Sequence, residues 1–568
     1  MKIHKYINQS IFALSLSMLT ISCDDFLSIV PLNEVVLENF WTEKADVTSA
    51  VNGCYAALET PECITRMFVW GEMRSDNILI GSNPSQNVRH ILSESILETN
   101  EYSAWVSFYQ VINRCNTVLH YAPKVASIDP NYTDSELNAT IAEMKTIRAL
   151  CYFYLIRAFR DVPYITKPSL SDDNIYGDYI VGASSFDEIL NNLIFDLEEV
   201  QDDAPKLYPN TLENSSRVTR CMIYTLLADL YLWKGDFDNT ISYCEKVLDF
   251  KTEMYEEEVE LAGTHNDIAL FKDEYPLIEE TTTSSTVYGN SYNKIFGTGN
   301  SFESIFELYF RENQKVKNSM ISNFFISSSN GNIGAVSANE ELYIDAATGN
   351  NDFFAKTDCR FMEGIIDGTS LYGITKYGLR SISIPDLTGN KINEISRSRR
   401  SSDYANWIIY RLTDVMLMKA EAHALKAKRI GEDVESRDSI MNANSLSSFK
   451  LVSAVYNRAN CLNNVSKDTL VYTDYSSNLE QLVFEERRRE FLFEGKRWFD
   501  LVRQSRRNSS TSILVNTVIS KYKTNGSIIK IKLSSMDAIY FPYLEKELKS
   551  NPLLEQNPAY KTNESISK

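Results

Sequence analysis

Histidine is scarce in this chain of 568 residues, basic charge is in deficit, and beyond the N-terminus no apolar run is long. His90, His120, His265 and His423 show neither an HExxH pair nor any other metal-ligand spacing, so no metal site is expected. No GxSxG nucleophile elbow occurs, and Gly297-Thr298-Gly299 lacks the third glycine of a phosphate loop. No cofactor is therefore expected, and nothing points to an enzyme. A glycosidase remains open, because two carboxylates about 5–10 Å apart can come from any part of a chain.

The 57 basic and 76 acidic residues leave a net charge of −19. A nucleic-acid partner wants a basic face, and so does an anionic membrane surface, so both are excluded as partners held by charge. No segment beyond the N-terminus approaches the ~18 uninterrupted apolar residues that span a bilayer.

The N-terminus is the exception. Lys2 and Lys5 precede an apolar run from Ile11 to Ile21, and Leu19-Thr20-Ile21-Ser22-Cys23-Asp24-Asp25 follows. A charged start, a short apolar stretch and a small residue before the cut describe a secretory signal over residues 1–22. Cys23 then stands at the new N-terminus, where its thiol can carry lipid, although Thr20 occupies the place where lipoprotein signals usually have Leu. Each buried methylene contributes about 0.8 kcal/mol, and a multi-acyl anchor holds a soluble body at a membrane. Cleavage removes two lysines and no acid, leaving the mature chain more acidic still.

CxxC pairs are absent too. Besides Cys23 there are cysteines at 54, 63, 115, 151, 221, 244, 359 and 461, most of them in apolar helical stretches. They read as small buried hydrophobes. An exported chain could also bridge some of them, with Cys54 and Cys63 nearest in sequence. What the chain has in plenty is rings: 32 Tyr, 27 Phe and 6 Trp. The C–H face of a pyranose stacks on such rings, so the composition permits carbohydrate binding.

Apolar residues at three- and four-residue steps predict helices over Asp134–Arg160, Phe186–Val200, Val218–Lys234 and Phe237–Phe250. The Gly235-Asp236 joint between the last two is similar to the turn of a tetratricopeptide repeat. The fold class expected is mainly α, with tetratricopeptide-like pairs as scaffold in an N-terminal part, residues 23–250. A C-terminal part, residues 251–568, begins with a loop-rich stretch to about Asn406 containing short strands. Helices are expected again over Asp414–Ala427, Phe449–Ala459 and Asn478–Gln504, then an extended tail from Met536 to Tyr560.

Several motifs recur in a fixed order. They begin with Asp24-Asp25-Phe26-Leu27, Phe40-Trp41 and Asn52-Gly53-Cys54-Tyr55, then Arg148-Ala149-Leu150 and Asp161-Val162-Pro163-Tyr164. Glu486-Arg487-Arg488-Arg489-Glu490-Phe491, Phe493-Glu494-Gly495 and Arg497-Trp498-Phe499-Asp500-Leu501 follow, and Gln556-Asn557-Pro558-Ala559-Tyr560 closes the set. In order and spacing the chain resembles the SusD/RagB family of Bacteroidota outer-membrane lipoproteins, which bind nutrients at the cell surface. The resemblance implies a lipid anchor at Cys23 on the outer face of the outer membrane, an oligosaccharide ligand, and a SusC-like TonB-dependent transporter as partner. A peptide ligand is the alternative within the family, a surface glycoside hydrolase the alternative outside it, and a structural lipoprotein without a ligand a further one.

The expected ligand contacts are rings beside directional polar groups: Trp70 with Asp76 and Asn77, Trp105 at the start of the next helix, and Tyr288 and Tyr292 among Thr, Ser, Gly and Asn. Core filling is the competing reading for Trp70 and Trp105, whereas the two tyrosines are expected at the surface. The charged run Glu485–Asp500 is read as scaffold. On one continuous helix Glu485 would meet Arg489, Arg497 would meet Asp500, and Phe491, Trp498 and Val502 would share a flank.

Overall fold

The fold was analysed in a computed structural model that describes residues 40–169, 180–263, 267–281, 287–326, 331–343, 353–355, 357–368, 371–385, 394–430, 437–462 and 469–561. Cys23 and the acidic residues after it lie outside the described residues.

Helices dominate, and they pack as neighbours in sequence. Helix α1 is Lys44–Leu58, α2 Pro61–Phe68, α3 Val106–Ile128 and α4 Asp134–Phe159. Helix α5 is Phe186–Glu198, α6 Arg220–Lys234 and α7 Phe237–Ala262. Helix α3 packs on α4, and α6 on α7. The α4 start is sealed by Thr133 and Glu136, each side chain bonding the other's backbone N–H, which satisfies two orphan donors at once. Between α6 and α7, Gly235 takes a left-handed conformation and the Asp236 carboxylate accepts the Asn239 N–H. That reversal closes the expected tetratricopeptide-like pair.

The expected boundary at residue 250 falls inside α7, which runs on to Ala262. Two further helices, α8 (Leu412–Ile430) and α9 (Arg437–Ala459), pack on each other, and α7 packs on α8. One apolar core thus continues from Trp41 to Tyr560. The strands are short and paired in twos. Ser304–Leu308 runs antiparallel to Trp407–Arg411, and Ile78–Ile80 antiparallel to Val336–Ala338. Where the sequence predicts an extended tail, Asp537–Ile539 and Pro558–Tyr560 form single helical turns and Glu545–Ser550 a short helix.

The helix expected over Asn478–Gln504 is two helices, α10 (Leu479–Glu490) and α11 (Arg497–Arg507). Phe493 and Gly495 between them have φ of 66° and 75°, the left-handed region, and the chain turns there. The turn brings the Gly495 carbonyl against Gly71, where a Cβ would lie 1.8 Å from that oxygen. Reversal separates the residues expected on one flank. Phe491 lies under the Arg411 guanidinium, 4.7 Å from its carbon, whereas Trp498 carries Arg74 at 4.3 Å.

Ion pairs fill the space the turn creates. The Glu490 carboxylate accepts Arg411 at 2.5 Å, Arg360 at 2.9 Å and also Arg458, and Glu494 accepts Arg411 at 2.8 Å and Lys376 at 2.7 Å. Burial alone would raise the Glu490 carboxyl, but Arg458, Arg411 and Arg360 hold it well below the usual range. The signature run carries buried ion pairs, but the partners differ from those expected. Asp500 pairs with Arg487 and Arg503 rather than Arg497, and Arg489 pairs with Glu486 rather than Glu485.

Candidate functional site

The segment after α2 carries most of the expected ligand contacts, and it runs through the interior. Residues Val69–Met73 make a π-helical turn, and Arg74 to Asn77 lead into the strand Ile78–Ile80. Trp70 is fully buried; its indole N–H donates to the Tyr102 carbonyl at 2.7 Å, and its ring packs on Phe108 and Phe159. Asn77 donates to Glu72 at 2.8 Å and accepts from Arg488 at 2.8 Å. Asp76 accepts Arg497 Nε at 2.9 Å and Nη2 at 3.1 Å, and pairs with Arg488 at 3.0 Å. Burial on its own would push the Asp76 carboxyl up, but the two guanidiniums hold it at about 2.

The other expected contacts are interior as well. Trp105 is buried against Phe159 and Tyr543. Tyr288 and Tyr292, expected at the surface, are only 7% and 1% exposed. The Tyr288 backbone exchanges hydrogen bonds with Ile384 at 2.8 and 3.0 Å, and Tyr292 lies against Phe296. Polar neighbours suggested exposure, but the backbone bridge to Ile384 draws Tyr288 inward, and Tyr292 lies in the buried short helix Asn290–Tyr292. The six residues are thus not gathered around one opening; Asp76 alone borders the cleft described next.

An open cleft of about 700 Å³ lies against this ion pair. Its floor is Asp76, Arg488 and Arg497, and its sides carry the rings of Tyr343, Phe353 and Phe484. Tyr343 and Phe353 are half-buried, each offering part of its ring, while Glu340 and Glu341 are exposed at the rim. Tyr343 stacks on Tyr372 at 4.4 Å, and the Arg488 guanidinium lies 4.4 Å over Phe353, so both rings are held in place. Asn339 fixes this wall to the floor: its amide donates to the Asp76 carbonyl at 2.8 Å, and its N–H donates to that of Asn77. Flat apolar faces beside carboxylates and guanidiniums suit a polyhydroxylated chain, which needs stacking and directional hydrogen bonds together.

Sequence reasoning missed Tyr343, Phe353, Glu340 and Glu341. All four lie in the loop-rich stretch, which was singled out as a whole, but no periodicity there marks which ring faces out. Arg488 was read only as part of the scaffold run. Among the described residues no group of three or more His, Cys, Asp or Glu could hold a metal ion, and no helix is long and apolar enough to cross a membrane.

Comparison with known proteins agrees with this architecture. The chain is 25% identical over 556 residues to SusD-like protein P38 of Formosa agariphila, covering 95% of this chain and 96% of that one. SusD-like protein P25 of the same organism is 24% identical over 436 residues, 70% of this chain and 75% of its own. A SusD superfamily protein from Bacteroides vulgatus superposes with a TM-score of 0.62 at 18% identity, covering 92% of this chain and all of its own. Surface glycan-binding protein A from Bacteroides thetaiotaomicron, solved with laminarihexaose, gives 0.58 at 19% identity over 91% of this chain and all of its own. At such identities these structures share the fold. A family model described as starch-binding associating with outer membrane matches residues 27–232, and the model of the SusD family matches residues 269–560, more than half of the chain. The chain belongs to the SusD family.

Proposed function

We propose that this protein is a cell-surface lipoprotein that binds a glycan oligomer in the cleft over Asp76 and delivers it to a SusC-like TonB-dependent transporter. The observation that carries the reading is the pair of fixed, half-exposed rings, Tyr343 and Phe353, beside Glu340, Glu341 and Arg488. The complex of a fold relative with laminarihexaose supports glycan over peptide. Cys23 carries the lipid, and the sequence around it supports attachment at the outer membrane.

The role is binding and not turnover. Asp76 is held as a carboxylate by two arginines, so it is a poor general acid. Calorimetric titration with laminarin- and starch-derived oligosaccharides, followed by chromatography of the recovered sugar, tests the reading. Binding of a sugar that returns at its original length is expected; shortened products would place the protein among the hydrolases.

A further inference from the structure

Two cysteines far apart in sequence have been brought together by the fold. Cys359 is the first residue of the short helix Cys359–Gly364, and Cys461 follows the end of α9. Their Sγ atoms lie 3.3 Å apart, across a separation of 102 residues. The approach is built by the backbone. Asp358 and Asn460 form an antiparallel bridge, the Leu462 N–H donates to the Thr357 carbonyl at 3.2 Å, and the Thr357 hydroxyl donates to the Asn460 side-chain oxygen at 3.1 Å. Thr357 and Asp358 are therefore registered against Asn460 and Leu462, which brings the two sulfurs side by side.

We propose that Cys359 and Cys461 form a disulfide in the exported protein. An S–S bond is about 2.0 Å, so the sulfurs need to close by roughly 1.3 Å, within the reach of a small χ1 adjustment. The two thiols differ in access. Cys359 is fully buried, and burial pushes its thiol well above the ordinary range, whereas Cys461 is partly exposed. Cys461 is thus the sulfur that meets an oxidant. Its thiolate attacks a disulfide of an oxidant, such as a thiol–disulfide oxidoreductase or glutathione disulfide, and releases one thiol. Cys359 then gives up its proton and attacks the Cys461 sulfur, displacing the second thiol. Two electrons and two protons leave the protein, and the oxidant's disulfide ends as two thiols.

The bond ties an element of the central ion network in place. Arg360, next to Cys359, holds Asp358 at 2.7 Å, Glu486 at 2.7 Å and Glu490 at 2.9 Å. Closing a loop of this length restricts the unfolded chain strongly, because the loop-closure entropy removed grows with loop length. Cys221 and Cys244, buried in α6 and α7, serve as internal references.

The pairing is tested on the folded full-length protein incubated with glutathione disulfide, alkylated in denaturant without reduction, and mapped by mass spectrometry. A peptide containing Cys359 is expected to be joined to one containing Cys461, lighter by two hydrogens than the separate pair, and to separate on reduction. Recovery of both residues as free alkylated thiols after this oxidation overturns the proposal. The double variant Cys359→Ala, Cys461→Ala supplies a second reading. Its melting temperature should match that of reduced wild type, below that of the oxidised protein, and should not respond to reductant. A melting temperature that responds equally to reductant in both proteins overturns it as well. Because oxidation is done on purified protein, the outcome is independent of export, which fractionation of a Cys23 variant judges separately.

Discussion

The Asp76 carboxylate and the Arg497 guanidinium, 421 residues apart in sequence, meet through two hydrogen bonds of 2.9 and 3.1 Å. A residue expected at the ligand face and a residue expected in the scaffold are partners. Their contact ties the segment leading into the strand Ile78–Ile80 to the start of α11, and the cleft opens beside it. Neighbouring contacts reinforce the same seam. Glu72 accepts the Lys496 N–H at 3.2 Å, and Arg488 donates to Asn77 at 2.8 Å.

Removing one partner is expected to cost more than the pair itself contributes. Asp76→Ala leaves the buried Arg497 without its carboxylate beside the partly exposed Arg488, a loss of up to roughly 3–5 kcal/mol in stability. Urea denaturation should show the loss, and the double change with Arg497→Ala should cost less than the two single changes summed. A folded Asp76→Ala protein of undiminished stability that no longer binds oligosaccharide would mean that the pair holds ligand rather than the fold.

Acid should weaken the protein through the same carboxylates. Burial opposes ionisation of Asp76 and Asp500, but their arginine partners hold both at about 2. A carboxyl depressed in the folded state adds stability that is complete above the unfolded pKa, about 3.9, and is lost as pH falls through the folded value. Each should contribute ~2 kcal/mol, lost between about pH 4 and pH 2. A melting temperature unchanged across that window in wild type would contradict the assignment.

Gly71→Ala tests the seam from the backbone side. The new Cβ would lie 1.8 Å from the Gly495 oxygen and 3.0 Å from the Phe499 ring, and the rigid turn at Gly495 has little room to yield. Overpacking of this kind costs about 1–3 kcal/mol or more, so a lowered urea midpoint is expected. Near-wild-type stability would mean that the turn relaxes.

The ligand face is tested by Tyr343→Ala and Phe353→Ala. If the two rings form the stacking platform, one of them should carry most of the effect, weakening oligosaccharide binding by roughly ten- to a hundredfold, ~1–3 kcal/mol. Calorimetry on variants with wild-type melting curves isolates binding from folding. Trp70→Ala should instead act through stability, since its ring is packed between Phe108 and Phe159. Neutral results at both cleft rings would remove the cleft as the site.

The anchor has its own test. Cys23→Ala should release the protein from the membrane fraction, measured by ultracentrifugation in cells lacking a SusC-like transporter. Retention at the surface under those conditions would require another attachment.

Periodicity marked α4, α5 and α6, because a helix that buries one stripe repeats its apolar residues at three and four. The α4, α5 and α6 limits, the Gly235-Asp236 reversal and the mainly α class were all legible from local pattern. That the charges of Glu485–Asp500 form an ion-pair network was legible too, from their density. Its partners were not. Asp76, Arg411, Arg360 and Arg458 come from loops, a strand and other helices, and no local rule says which arginine will meet Glu490. The turn at Phe493 and Gly495 escaped for a similar reason: its left-handed residues are required by the close approach to Gly71, a contact between distant segments. Exposure of rings was decided last of all. Tyr288 and Tyr343 both stand in polar surroundings in the sequence, yet one is bonded into the interior at Ile384 and the other borders a cleft. Burial of a loop residue depends on which distant backbone pairs with it, and that is fixed only when the chain has folded.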